Sequence, residues 1–124
     1  MNAYQMAQTA YSGASAPIRT GRGTEYELFA RVTHRLGIAG RGDADFNALV
    51  RALHDNRALW TALAADVAVE TNGLPQSLRA QIFYLSEFTN HHSRRVLAGK
   101  AGVDVLVDIN TAIMRGLRME GEAA

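Results

Sequence analysis

His91-His92, with Glu87 four residues before His91, is where this chain comes nearest to a metal site or a general base. Consecutive helical residues point about 100° apart, so the two imidazoles cannot share one ion from a regular helix. Glu87 and His91 fall on one face, but a metal site needs a third ligand, and no residue at ligand spacing supplies it. The expectation is no metal, with His92 packed on the inner face of its helix and His91 outside near solvent. Ser77, Ser86 and Ser93 are the nucleophile candidates of the same region. None lies in a G-x-S-x-G elbow, and none has a base and an orienting group at evident spacing. Asp66, Glu70, Asp104 and Asp108 stand near helix ends, where carboxylates ordinarily cap or stay solvated. The glycines form no P-loop and no dinucleotide fingerprint, and GRGT at 21–24 has no strand before it. No catalytic residue and no cofactor is expected, so the chain reads as a non-enzyme.

Bulk composition narrows the remaining classes. The 124 residues suit one small domain, long enough to bury a core without staples. There is no cysteine, which excludes disulfides and thiol chemistry. The net charge of +1 argues against a nucleic-acid partner, whose footprint would be a clear basic excess. Arg94 and Arg95, with His91 and Lys100, form a modest positive patch at a helix end. That position complements the helix dipole, with phosphate binding as the sharper alternative. No run of about 18 apolar residues exists to span a membrane, and the N-terminus lacks the charge and apolar core of a signal peptide. A cytoplasmic protein is expected.

The elements that must position these residues are helices. Residues 1–23, rich in small and polar residues, read as a mobile N-terminal arm, helical at most near Ala3 to Ala10. Thr24 and Glu27 form a T-x-x-E capping box, predicting a first helix with Phe29, Val32 and Leu36 inward and its end near Ala39. Asp43 and Asp45 are caps for a second helix, from Ala44 toward Glu70, closed by Asn72-Gly73. Its stripe is Phe46, Leu49, Leu53, Asn56, Trp60, Leu63 and Val67. Pro75 suits the first turn of a third helix with Leu78, Ile82, Leu85, Thr89, His92 and Val96 on one face. Phe83, Tyr84 and Phe88 lie beside or opposite that face. Asp104 opens a fourth helix on Leu106, Asn110, Ile113 and Leu117, and 119–124 read as a disordered tail. No period-2 pattern supports a sheet. The fold class is all-α: a small antiparallel bundle of about four helices over 24–118, with a flexible arm.

Two amides interrupt the apolar stripes. Asn56 stands one turn before the single tryptophan, Trp60, and Asn110 occupies the equivalent stripe of the last helix. An unpaired buried amide costs about 1–3 kcal/mol. The two amides, or one of them and His92, are therefore expected to bond across the core and fix register. Direct ligand contact is the open alternative.

Three stretches carry a resemblance: NRALWTALAAD, NGLPQSLRAQIFYLSEFTNHHSRRVL and DINTAIMRGL. They contain Asn56, Leu59 and Trp60; Asn72, Leu74 and Pro75 followed by Leu78, Arg79 and Ala80; His92, Val96 and Leu97; then Asp108, Ile109, Asn110, Gly116 and Leu117. The opening NAYQ and TEYELF, with Glu25 and Tyr26, agree. In kind, order and spacing they resemble the FlaF family of alphaproteobacterial flagellar regulators, over most of the chain.

That resemblance implies a non-enzymatic role in flagellin synthesis and secretion, with flagellin as partner and in functional relation to FlbT, which restrains flagellin translation. Flagellin's terminal helices are amphipathic and assembly-prone, and a helical bundle could hold one in a groove. Tyr26, Phe29, Phe83, Tyr84 and Phe88 are the candidate groove residues. A homodimer face, or a core completed by the arm, would use the same aromatics. An RNA-binding regulator of flagellin mRNA, acting through Arg94, Arg95, Lys100 and the arm's arginines, is the alternative from another class.

Overall fold

The computed structural model describes residues 21–69 and 73–123, with side chains over 26–69 and 73–116. The expected arm helix near Ala3 to Ala10 and the turn residue Asn72 lie outside the described residues. Within them the chain forms α1 (Gly21–Ala39), α2 (Phe46–Val67), α3 (Gln76–Leu97) and α4 (Asp104–Ala123), with no strand.

Pairings between helices fix their directions. Thr33 meets Asn110, and Gly40 meets Val103, so α1 and α4 run antiparallel. Arg57 meets Asn90, Trp60 meets Ser86, and Val67 meets Arg79, so α2 and α3 do the same. Phe29 lies on Trp60, and Leu36 shares a cluster with Leu53, making α1 and α2 antiparallel as well. The result is an all-α antiparallel bundle. It is not evenly closed: α3 packs along α2 but barely touches α4.

Several helix ends differ from the sequence expectation. α1 already includes Gly21 to Gly23, so Thr24 sits inside the helix and does not cap it. Nothing in Gly21-Arg22-Gly23 blocks helical hydrogen bonding; glycine costs only about 1 kcal/mol against alanine there. α2 begins after Asp45, whose carboxylate accepts from the Asn47 amide at 3.2 Å. It stops at Val67, short of Glu70 and Asn72. Arg79 explains the early stop, donating to the carbonyls of Val67 at 2.7 Å and Val69 at 3.0 Å, which α2 leaves open. Pro75 is the N-cap of α3 and not its first helical residue, with an extended ψ of 143°. α3 ends in a Schellman motif: Gly99, at φ 74°, donates to Val96, and Lys100 donates to Arg95. α4 continues through Ala123, so the backbone of 119–123 is helical and not a tail. Met119, Glu120 and Glu122 are good helix formers, and Gly121 alone opposes them.

The core divides in two. One cluster joins Leu28, Phe29 and Val32 with Leu59, Trp60, Leu63, Val67 and Ile82. The other joins Leu36, Ala39, Ala52 and Leu53 with Val96, Val103 and Leu106. Between them along the bundle lies a polar layer formed by Thr33, Asn56 and Asn110.

Candidate functional site

Asn110 is the centre of the polar layer. Its Oδ1 accepts from Trp60 Nε1 at 2.8 Å, and its Nδ2 donates to Asn56 Oδ1 at 2.7 Å and to Thr33 Oγ1 at 3.1 Å. Both asparagines and Trp60 are fully buried. The expected amide–amide bond across the core is therefore present, and Trp60 is tied to α4 by its own N–H. His92 takes no part in it. Its Nε2 meets the Gly102 carbonyl at 2.8 Å, and its ring stacks on Phe88 at 5.5 Å, so it closes the α3–α4 turn. His91 is exposed. Among the described residues no three His, Asp or Glu side chains gather as a metal site would require.

The sequence missed Thr33, although the signal was there. Thr33 lies one turn after Phe29 in the α1 stripe, a polar residue among apolar ones, as Asn56 is in α2. Ser86, considered only as a nucleophile candidate, has an unexpected packing role: its hydroxyl donates to the Trp60 carbonyl at 3.3 Å and ties α3 to α2. Of the buried residues of α3, Ser86, Thr89 and Ser93 are polar and only Ile82 and Val96 are apolar. Small side chains let the two helices approach closely. They also leave α3 with a largely polar inner face.

The five candidate groove aromatics do not form one surface. Phe29 is fully buried and meets Trp60 edge-to-face at 5.7 Å, with an interplanar angle of 83°. It belongs to the core and cannot line a groove; the 3- and 4-residue steps from Phe29 to Val32 and Leu36 already placed it inward. Tyr26 is half-buried against the same cluster. Phe88 is half-buried on His92. Phe83 and Tyr84 remain, 49% and 65% exposed on the outer side of α3. Phe83 borders a depression of about 400 Å³ lined also by Val67, Ala68, Gln76, Arg79 and Ala80. Isolated exposed apolar residues are ordinary, but two consecutive exposed aromatics, one of them bordering a concavity, suggest a contact surface.

The other singled-out positions are structural in their contacts. Leu74 packs against the first cluster, Pro75 starts α3, and Arg79 spans from α3 to the end of α2. Asp108 is exposed, on the turn of α4 that carries the half-buried Ile109 and buried Asn110.

This arrangement accounts for the motif positions that carried the resemblance, and comparison with family models agrees. Residues 7–117 match the model of the flagellar protein FlaF. The chain belongs to the FlaF family. The FlaF match spans all of α2 and α3 and the described side chains of α1 and α4, so the Asn56–Asn110–Trp60 layer and the Arg79 cap lie within the FlaF region. Comparison with curated proteins found no match, and comparison with solved structures found none. Membership makes this a flagellar protein. No helix among the described residues is long and apolar enough to cross a membrane.

Proposed function

We propose that this FlaF-family protein acts in the cytoplasm as a non-enzymatic flagellin-binding regulator, promoting flagellin synthesis and secretion in functional relation to FlbT. Its contact with flagellin is an amphipathic terminal helix of flagellin laid along the outer face of α3. The observation that carries this reading is the exposure of Phe83, which lines the depression with Arg79, next in sequence to the exposed Tyr84. A helix docks by inserting apolar side chains at 3- and 4-residue steps into such a concavity. Aromatic anchors commonly supply much of the binding energy at protein interfaces. Arg79 is already engaged with α2 carbonyls, so it shapes the wall of the depression and is not a free charge.

Co-purification with the cognate flagellin, full length and with each terminus removed, tests the proposal. Full-length flagellin should be retained, and removal of one terminus should abolish retention. Equal retention of all three forms would contradict a terminal-helix contact. Binding to flagellin mRNA that weakens steeply with salt, in place of binding to flagellin, would favour the RNA-regulator reading.

A further inference from the structure

A second concavity lies where the end of α1 meets the start of α2. It measures about 410 Å³. Ala44 of the α1–α2 connection and Ala48 and Ala52 of α2 line it, and Ile38 of α1, 43% exposed, forms its apolar wall. Arg35 and Arg51 stand on its two banks, with Asp55 the single acid of the lining. Both arginines are exposed, and among the described residues neither is engaged by a carboxylate. Arg31, one turn before Arg35 and outside the lining, is also exposed and extends the positive charge along α1.

We propose that this groove is an interaction surface for an amphipathic helix of a partner protein, one that carries acidic residues beside its apolar stripe. The alanines leave room for the partner's apolar side chains while admitting close approach of its backbone. The uncompensated guanidiniums on either bank are placed to meet flanking carboxylates and fix the helix's orientation, as charge at an interface rim does. A small ligand is disfavoured, because the lining lacks the convergent buried polar groups that orient one. A nucleic acid is disfavoured too, because no aromatic ring lines the groove to stack a base. The surface is separate from Phe83 and Tyr84 and does not depend on the flagellin reading.

The test uses the full-length protein and two synthetic amphipathic helices of about 18 residues, roughly 27 Å long. They share one Leu/Ala stripe; one is flanked by glutamates and the other by lysines. Fluorescence anisotropy should show the glutamate peptide binding at least about tenfold more tightly than the lysine peptide. Arg35→Glu combined with Arg51→Glu should reverse that order, and Ala48→Arg should weaken glutamate-peptide binding by about tenfold or more. Phe83→Asp should leave it unchanged, which separates this groove from the proposed flagellin surface. Circular dichroism melts verify that the variants, at exposed Arg35, Arg51 and Phe83 and half-buried Ala48, stay folded. Equal binding of the two peptides, or glutamate-peptide binding indifferent to both groove variants, would overturn the proposal. So would preferential binding of a single-stranded RNA oligomer that the same arginine reversal abolishes.

Discussion

Asn110 uses its amide to bind three partners on two other helices, and this makes it the residue on which the bundle's register depends. Replacing it with leucine would bury an unpaired Trp60 N–H and leave Asn56 and Thr33 without their contacts. Each such loss costs about 1–3 kcal/mol, so Asn110→Leu should destabilise the fold by about 3 kcal/mol or more, read by urea denaturation. Asn56→Leu should cost less, because its Nδ2 already lacks a hydrogen-bond partner. Thr89 gives the opposite sign. Its Oγ1 is fully buried and has no hydrogen-bond partner, so the near-isosteric Thr89→Val removes a penalty and no bond. Thr89→Val should raise stability by about 1 kcal/mol, measured as a higher melting temperature. A fall would mean that the hydroxyl has a role the static contacts do not contain.

At the scale of elements, helix ends are set by tertiary contacts that cross from one helix to the next. Arg79 reaches from α3 to the last carbonyls of α2. Arg79→Ala should therefore fray the end of α2, seen as faster amide exchange at Ala68 and Val69, with a stability loss of about 1–2 kcal/mol. Exchange confined to α3 would place the role of Arg79 elsewhere. This contact also explains what the sequence could and could not disclose. Periodicity located all four helices and most of their inward faces, because apolar stripes repeat at the helical period. The cap at Asp45 and the break at Gly99 were legible from local chemistry. The end of α2 was not, since the group that satisfies it arrives from residue 79. For the candidate site, the aromatic surplus on α3 drew attention to Phe83, Tyr84 and Phe88, of which Phe83 and Tyr84 are exposed, but Phe29 of α1 was added to them. Only the packing distinguishes a core aromatic from a surface one, and Phe29 is held by Trp60. The alanine-lined groove between α1 and α2 was invisible, because alanine, found on inner and outer faces alike, carries no periodic signal.

On the scale of the whole molecule, the bundle is asymmetric. α3 contributes Ile82 and Val96 to the two apolar clusters, bonds to α2 through Ser86, barely touches α4 and turns two aromatics to solvent. Among the described residues the outer side of α3 is thereby left exposed, as the proposed flagellin contact requires. The polar layer gives the bundle its shape, and the α3 surface gives the proposed contact. Isothermal titration of the cognate flagellin into the intact protein and into Phe83→Asp tests this most directly. Because Phe83 is half exposed, the variant should keep its melting temperature while its affinity falls by about a hundredfold, roughly 2.7 kcal/mol, as for an interface anchor. A folded Phe83→Asp protein that binds flagellin with undiminished affinity would contradict the assignment of α3 as the flagellin-binding surface.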